Sequence, residues 1–326
     1  MGFNILVTGV GAIIGQGIVE ALRSCGAEVC VIGLDRSPHT VGYHLCDVFL
    51  CKPIHDEESA AYLEFWCQLL VSHRIDLVLP GIESDVLFLD WHRHELGQLS
   101  TLAINTPRML NVCCNKLVTY DELSSIDIAR IPTMSASATA DLGILGLGPY
   151  VLKPCSGNGS RGIHIVESQM DYQRAFSECG DADYIVQPYL GDPEHEYTAS
   201  AFGLGNGRSL TPIVFRRLLS NAGYTNYVEV ESCESIAASI DTLSRHLQPV
   251  GPTNYQFRLH QGQYYLLEIN PRFSSSTSLK AAFGYNEPGM CIQFFLQQQT
   301  PPEPEILKGR AWRKISDVIV YESDHQ

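Results

Sequence analysis

Strand-like and helix-like segments alternate through the first hundred residues of the chain. Short apolar runs, each long enough for a buried strand, are separated by segments whose apolar residues are spaced for one helix face. Repeated units of this kind form a parallel sheet with helices on both faces. The pattern predicts strands at residues 5–8, 28–34, 76–80 and 102–105, and helices at residues 15–24, 60–72 and 84–95.

The alternation of strand-like and helix-like segments ends after Thr106-Pro107, and hairpin-like strands dominate from Tyr150 onwards. Such strands predict antiparallel sheets, so an α/β part is followed by an α+β part, with a domain boundary near residues 105–110. Helices are expected around Leu110 and at residues 117–124, 170–179 and 235–247; strands are expected at residues 151–153, 162–166, 184–187, 198–204, 209–217, 254–259 and 264–269.

Composition narrows the classes of function. The formal net charge is −14 and no basic stripe is present, which argues against nucleic acid as a partner. The 11 cysteines include no CxxC pair and lie mostly among apolar residues, as reduced thiols do in a reducing compartment. No apolar run is long enough for a bilayer and no leader-like segment precedes the first strand, so we expect a cytoplasmic location without a membrane partner.

A glycine-rich turn at residues 9–15 follows the first predicted strand and opens the first predicted helix. Glycines at such a turn let the backbone approach a pyrophosphate, and Asp35 ends the next strand, where an acidic residue can contact a ribose. The spacing is GxGxxxG, one residue longer than the dinucleotide fingerprint. From the residues alone, NAD binding and a purely structural tight turn both remain open.

A second glycine-rich loop follows Lys153, where residues 153–162 read KPCSGNGSRG between two predicted strands. The backbone N–H groups of such a loop can close over a polyphosphate while the lysine supplies a positive charge. It is not a Walker A loop, because no Gly-Lys-Ser/Thr precedes a helix. An ordinary glycine hairpin explains the same residues equally well.

Residues 267–272, LEINPR, form the most specific pattern. Residues two apart on a strand face the same side, so Glu268 and Asn270 present oxygen atoms together. Gln256, on the preceding strand, can point to the same place. Oxygen-rich sites of this kind suit Mg²⁺ shared with substrate phosphates, and Arg272 follows for a phosphoryl or carboxylate group. The alternative is a solvated surface hairpin.

Residues 184–190, YIVQPYL, predict a strand that leaves one sub-domain, and Glu196 begins the next. A hinge between two lobes can offer backbone groups to a purine and a carboxylate to ribose hydroxyls. The same residues also form an ordinary strand–turn–strand unit.

Taken in order, these motifs resemble the ATP-grasp superfamily, and within it the carbamoyl-phosphate synthase large-subunit-like and biotin-carboxylase-like ligases. The resemblance implies an N-terminal doubly wound pre-ATP-grasp domain followed by a two-lobed ATP-grasp domain with antiparallel sheets. It implies domains at residues 1–106, 107–190 (the small lobe with a helical lead-in) and 191–326 (the large lobe with the magnesium site). The first domain of that family commonly binds no dinucleotide.

The resemblance also implies roles for individual residues. Arg272, Lys153 and Arg216, or Arg217 in place of Arg216, would act on the transferring phosphoryl group. The hinge departs from the family pattern, because residues 187–190 read QPYL where an acidic pair is common. The segment from there to Glu196 is also about two residues longer than is usual in the family, so Glu194 is an alternative to Glu196 for the ribose. The residues expected to contact ATP are Lys116, Lys153, Ser156, Gly157, Gly159, Ser160, Gln187, Leu190 and Glu196; the expected ligands of two Mg²⁺ ions, for which Mn²⁺ can substitute, are Gln256, Glu268 and Asn270.

The expected activity is ATP- and Mg²⁺-dependent ligation of a carboxylate to an amine through an acyl phosphate, with release of ADP and phosphate. An amino acid, or a sugar-acid or metabolite carboxylate, is the expected substrate, and a homodimer is one expected assembly. A small-molecule kinase, an NAD-dependent oxidoreductase and a non-enzymatic nucleotide sensor are the alternatives. The substrate is expected between the first domain and the grasp, near Glu83, Ser84, Arg217, Ser274 and Lys280.

Overall fold

A computed structural model of the chain describes residues 2–54, 56–157, 162–180, 183–191, 193–220, 223–314 and 316–320. The N-terminal part contains a parallel sheet of strands β1 (Phe3–Thr8), β2 (Val29–Asp35), β3 (Val48–Cys51), β4 (Leu77–Leu79) and β5 (Thr101–Leu102). These strands lie in the order β3-β2-β1-β4-β5. The order reverses between β1 and β4, and doubly wound sheets bind ligands beyond the carboxyl ends of the strands at such a point.

The helices of this part are α1 (Ile13–Arg23), α2 (Gly42–Leu45), α3 (Ala60–Ser72), α4 (Glu83–Trp91) and α5 (Arg93–Gly97). They cover both faces of the sheet, so consecutive residues of β1 such as Leu6 and Val7 are fully buried. The single helix predicted at residues 84–95 is wrong in its continuity, because the backbone of His92 leaves the helical region between α4 and α5.

Helices α6 (Pro107–Cys113) and α7 (Lys116–Glu122) lead into a small antiparallel sheet, here called the lid sheet. Asn115 caps α7 by accepting from the Leu117 N–H at 2.9 Å, which fixes the helix start at Lys116. The lid sheet has its own core against α8 (Gln169–Ser177), in which Tyr172 is fully buried. Its strands are β6 (Met134–Ser135), β7 (Tyr150–Pro154), β8 (His164–Val166) and β9 (Tyr184–Pro188), in the order β6-β9-β7-β8.

The remaining strands form a six-stranded antiparallel sheet, here called the large sheet. Helices α9 (Glu234–Leu247), α10 (Thr277–Ala282) and α11 (Glu287–Cys291) accompany it. The sequence pattern does not predict the strands Thr225–Glu231 and Arg310–Trp312 of this sheet; the second is a three-residue edge strand, too short for a period to show. The strands are β10 (Glu196–Leu204), β11 (Ile213–Leu219), β12 (Thr225–Glu231), β13 (Val250–His260), β14 (Gln263–Asn270) and β15 (Arg310–Trp312), in the order β14-β13-β10-β11-β12-β15.

The first sheet and the large sheet share one apolar core. Ile5 and Val7 of β1 belong to the same buried cluster as Phe202 of β10 and Phe215 of β11. The fold-class prediction, a doubly wound parallel sheet followed by antiparallel sheets, is confirmed. The domain limits at residues 106 and 190 stay predictions, since a shared core leaves no gap that would mark the first of them.

Within the part of the chain that the structure describes, no helix has the length and apolar character needed to cross a lipid bilayer.

Candidate active site

The glycine turn at residues 9–15 is filled by the protein's own side chains. Asp35 accepts a hydrogen bond from the Gly11 N–H at 2.7 Å, so its carboxylate is used inside the turn. A Cβ on Gly11 would overlap Thr40, and a Cβ on Gly15 would overlap the Gly9 carbonyl. The glycines thus allow tight backbone packing, which favours the structural interpretation of this motif over the dinucleotide one.

A cavity of about 560 Å³ lies between the lid sheet and the large sheet. Its wall combines residues from β7, β9, β10, β13 and β14, which are far apart in the sequence. Most of the side chains expected at a nucleotide site line this one cavity, namely Lys116, Lys153, Ser156, Gly157, Gln187, Leu190, Glu196, Arg217, Gln256 and Glu268. Gly159 and Ser160, also expected there, lie outside the described residues.

Lys116 joins three parts of the cavity wall. Its backbone N–H donates to the Cys155 carbonyl at 2.8 Å, and its ammonium donates to the Gly157 carbonyl at 3.0 Å. The same ammonium lies 3.7 Å from a carboxylate oxygen of Glu268. Lys116 therefore links the start of α7 to the glycine loop and to the end of β14.

Lys153 is the last residue but one of β7, and it lines the cavity. Burial lowers the pKa of its ammonium to about 8; the carboxylate of Glu268 opposes this shift, whereas the positive charges of Lys116 and Arg258 add to it. A lysine in this state gains most from a ligand that supplies negative charge.

The charge of the cavity is opposite to that of the whole chain. Four cationic side chains line it (Lys116, Lys153, Arg217 and Arg258), against the two carboxylates Glu196 and Glu268. The formal net charge of the chain is −14, so this concentration of positive charge is local. Local excess positive charge in a partly closed cavity suits a polyphosphate.

Part of the cavity wall is apolar. Gln187 is buried in β9 and donates to the Thr133 hydroxyl at 2.6 Å, while the Leu190 carbonyl lies 3.0 Å from a ring nitrogen of His260. A flat heteroaromatic ring can pack against aliphatic side chains of this kind. The aliphatic residues lining the cavity are Ile131, Val151, Ile163, Ile165, Leu190, Leu219 and Leu267.

Glu196 is shared by two arginines. One carboxylate oxygen accepts from Arg217 Nε at 3.0 Å and Nη2 at 2.6 Å, and the other accepts from Arg258 Nη2 at 2.5 Å. Glu196 and Arg217 are both buried. Three of the roughly four acceptor positions of the carboxylate are thus taken, which leaves little capacity for ribose hydroxyls. Glu194 lies in a short 3₁₀ turn and is exposed, outside the residues that line the cavity.

Gln256 and Glu268 are direct partners in the antiparallel pairing of β13 and β14, and Asn270 lies two residues further along β14. Their oxygens are hard ligands of the kind that Mg²⁺ takes when phosphates and water complete its shell. Among the described residues, no group of three or more His, Cys, Asp or Glu side chains converges on a metal position. The donor set therefore fits a magnesium ion shared with a nucleotide better than a cage made by the protein alone.

A second cleft continues from the cavity past Lys116, Gly157 and Glu268, which line both. It contains Asn270 and Arg272 on one side and Glu83 of α4 on the other. Arg272 donates from Nε at 3.1 Å and from Nη2 at 2.8 Å to a single carboxylate oxygen of Glu83. This ion pair joins the N-terminal part to the large sheet across the cleft.

Cys114 also lines this cleft. Burial raises the pKa of its thiol to about 11, so the sulfur is protonated at neutral pH and is not activated for nucleophilic attack.

Four residues expected near the site line neither space. Arg216 pairs with Glu229 at 2.5 Å and Glu231 at 3.0 Å, on the strand face opposite to Arg217. Lys280 forms a buried ion pair with Glu287 at 2.5 Å. Ser274 is buried beside Ser276, and Ser84 is exposed in the first turn of α4.

Sequence reasoning missed Arg258, which shares Glu196 and also donates to the Gly191 carbonyl. The signal was present, because Arg258 lies two residues after Gln256 on the same strand and so faces the same side. It missed Asn105 as well, whose amide donates to Thr253 Oγ1 at 3.0 Å and to the Pro271 carbonyl at 3.4 Å. Asn105 thereby fixes the backbone immediately before Arg272.

Comparison with known proteins agrees with this architecture. The model of the family described as "ATP-grasp in the biosynthetic pathway with Ter operon" matches residues 181–318. An uncharacterized curated relative, y4rH of Sinorhizobium fredii, is 26% identical over 193 residues, which cover 52% of this chain and 38% of the relative. The chain therefore spans about two fifths of the length of that relative.

Solved structures with the same fold cover nearly the whole chain. N5-carboxyaminoimidazole synthetase from Staphylococcus aureus, complexed with ADP, has a TM-score of 0.73 at 17% identity, over 94% of this chain and 81% of its own. The biotin carboxylase domain of Hydrogenobacter thermophilus 2-oxoglutarate carboxylase, in complex with MgADP, ADP and bicarbonate, has 0.75 at 13%, over 95% and 73%. An L-amino acid ligase from Bacillus licheniformis has 0.67 at 18%, over 91% and 74%.

The strand order of the three sheets, the matched segment and these structural relatives agree with the resemblance to the ATP-grasp superfamily read from the motifs: residues 181–318 match an ATP-grasp family, and nearly the whole chain has the fold that these relatives share.

Proposed function

We propose that the protein is a Mg²⁺- and ATP-dependent ligase that activates a carboxylate as an acyl phosphate and joins it to an amine, forming an amide. One observation carries the proposal. The cationic cavity between the lid sheet and the large sheet opens, past Lys116 and Glu268, into a cleft that holds Arg272. A nucleotide and a second substrate would meet where these two spaces join.

The placement of a nucleotide follows from the chemistry of the wall. The purine would lie against aliphatic side chains of the wall beside Gln187 and Leu190, and the phosphates would extend toward Lys153 and Lys116. ADP is bound in the S. aureus structure of the same fold, which supports a nucleotide as the ligand of the present chain. The glycine loop after Lys153 would cover the phosphates and exclude water from them.

Gln256, Glu268 and Asn270 would hold magnesium at the phosphate end. Bound there, the metal would neutralise the β- and γ-phosphates and polarise the transferring group. The MgADP present in the biotin carboxylase structure of the same fold supports magnesium bound together with a nucleotide.

The chain's own residues would then perform two tasks. Lys153 and Arg272 would neutralise the charge that spreads over the transferring phosphoryl group and hold it in line with the attacking carboxylate oxygen. The bond between the γ-phosphorus and the bridging oxygen of ADP breaks as the carboxylate oxygen bonds to phosphorus. An amine then attacks the acyl carbon, loses a proton and expels inorganic phosphate.

The experiment that tests this proposal is ATP-dependent hydroxamate formation with hydroxylamine, over a panel of amino acids and sugar acids. Hydroxylamine traps an acyl phosphate but not a phosphate ester, so hydroxamate together with ADP is the expected result. ADP release with a stable phosphorylated product and no hydroxamate would instead favour the kinase alternative. Mass spectrometry of the product with an added amine identifies the amide.

A further inference from the structure

Leu190 lies where the chain leaves the lid sheet for the large sheet, and it lines the cavity between them. The residue before it still belongs to the lid sheet, because the Tyr189 N–H donates to the Pro149 carbonyl at 2.8 Å. From Leu190 onwards the backbone is held from the other side. The Leu190 carbonyl lies 3.0 Å from Nδ1 of His260, the last residue of β13.

Arg258, two residues before His260 on the same strand, holds the following carbonyl. Its Nη1 donates to the carbonyl oxygen of Gly191. Residues two apart on a strand face the same side, so both side chains reach the same segment of backbone. Leu190 and Gly191 are thus fastened to the large sheet, although the residue before them is bonded to the lid sheet.

The place of β13 in the sheet explains why side chains make these bonds. It lies between β14 and β10, so its backbone N–H and C=O groups pair with those two strands. Strand β14 comes first in the strand order, and its backbone can pair with the other connection to the lid sheet. The Leu266 N–H of β14 donates to the Ala129 carbonyl at 3.0 Å. For Leu190, a side chain of β13 takes over this task.

The contact fixes the protonation of the His260 ring. A carbonyl oxygen can only accept a hydrogen bond, so Nδ1 must carry the hydrogen. The bond holds a residue of the cavity wall in place before any ligand arrives. Ordering the backbone of one residue on binding typically weakens a ligand about tenfold, and a wall segment that is already ordered avoids this loss.

We propose that His260 is a positioning residue for the nucleotide: its Nδ1–H holds the Leu190 carbonyl and keeps the cavity wall beside the purine in its binding geometry. The inference rests on the proposed function only in taking this cavity as the nucleotide site. His260 is not among the residues that line the cavity, so it acts through Leu190.

The position of the ring hydrogen is the first test, and it needs no ligand. In protein labelled at its histidine nitrogens, NMR shifts of the two ring nitrogens report which of them carries the hydrogen, and the signal lost in His260→Asn identifies the residue. We expect the hydrogen on Nδ1. A ring with hydrogen on Nε2 alone cannot donate to Leu190, and this result would overturn the inference.

Substitutions measure what the bond contributes to binding of a non-hydrolysable ATP analogue with Mg²⁺, followed by titration calorimetry. His260→Leu should weaken the analogue about tenfold, because Leu190 is then ordered only on binding. His260→Asn places an amide N–H close to the position of Nδ1 and should restore the affinity to within about threefold of wild type. His94→Leu, at an exposed histidine of α5, is the matched control with wild-type affinity. Melting temperatures establish that each variant is folded.

Wild-type affinity in His260→Leu would overturn the inference. Equal weakening in the folded leucine and asparagine variants would also overturn it, since the ring would then act by packing against Tyr265 and not through its N–H. The ligase proposal fails separately. If the ring hydrogen and the affinities are as expected but no carboxylate yields hydroxamate, the positioning role stands and the acyl-phosphate chemistry is wrong.

Discussion

Glu196 and Arg217 lie directly opposite each other on the antiparallel strands β10 and β11, and their side chains form a buried salt bridge of 2.6 Å. Arg258, opposite Glu196 on the other neighbouring strand, completes the arrangement from the β13 side. One carboxylate thus holds two guanidinium groups at the wall of the cavity between the lid sheet and the large sheet. The excess positive charge of that wall depends on this sharing.

Removing the shared charge should destabilise the protein strongly. Glu196→Gln leaves the buried guanidinium of Arg217 and the partly buried one of Arg258 without this counter-charge, and breaking a buried ion pair in this way typically costs about 3–5 kcal/mol. Urea unfolding measures the loss. Asp241→Asn breaks the exposed pair with Arg245 and should leave the unfolding midpoint nearly unchanged. Equal losses in the two variants would show that the Glu196 pairs contribute no more than a surface pair.

Nucleotide affinity should fall as the pH rises through the pKa of Lys153. With a pKa of about 8, the ammonium form falls from roughly nine tenths at pH 7 to roughly one tenth at pH 9. If phosphates bind the charged form, the apparent Kd for a non-hydrolysable ATP analogue should rise about tenfold over this range. Titration calorimetry in buffers of different ionisation enthalpy should also show proton uptake on binding at pH 8.5.

Lys153→Met is the control. It should bind the ATP analogue weakly at both pH values, and its affinity should no longer depend on pH over this range.

The same depressed pKa of Lys153 affects the stability of the protein. Between pH 8 and about 10.5 the unfolded chain binds the proton that the folded chain has lost, so this lysine's unfavourable contribution is present below pH 8 and is relieved as the pH rises. If affinity or stability depended on pH in Lys153→Met as it does in the wild-type protein, the effect would belong to another ionisable group.

The magnesium assignment predicts a specific defect. Glu268→Gln keeps the size of the side chain but removes the one carboxylate from the proposed donor set, so Mg²⁺-dependent ADP release should fall at least a hundredfold. Binding of ADP measured without metal should change little. Glu178→Gln, an exposed substitution after α8, is the control. Normal turnover and normal magnesium dependence in Glu268→Gln would contradict the assignment.

The hydrogen bond inside the glycine turn predicts a loss of stability without a loss of nucleotide affinity. Asp35→Ala removes the acceptor of the Gly11 N–H, a partly buried hydrogen bond to a charged group worth about 1.5–3 kcal/mol. The free energy of unfolding should fall by that order, while the affinity for the ATP analogue stays within about twofold. A large loss of nucleotide affinity in a folded Asp35→Ala protein would place the nucleotide at the N-terminal sheet instead.

Sequence patterns located most of the cavity wall because those patterns are local. Gln256 and Glu268 belong to consecutive strands joined by a short turn, so their pairing follows from strand length and alternation. The same reasoning failed for Arg216 and Arg217, since adjacent residues face opposite sides and nothing local says which side is the cavity. The neighbouring strands decide it: Arg217 meets Glu196, whereas Arg216 meets Glu229 and Glu231.

The sequence by itself determined the order of the parallel and antiparallel parts and the positions of the lysines, the glycine loop and the oxygen-bearing side chains proposed to hold magnesium. Hydrophobic periodicity, glycine-rich turns and the alternation of side chains along a strand each involve only a few consecutive residues. They can therefore be recognised in the sequence without knowledge of the fold. Only the tertiary structure decided that Glu196 is shared, that Lys280 is buried in an ion pair with Glu287, and that Arg272 pairs with Glu83, 189 residues away. Contacts of that kind depend on how the sheets pack together, and long-range packing leaves no periodic trace in the chain.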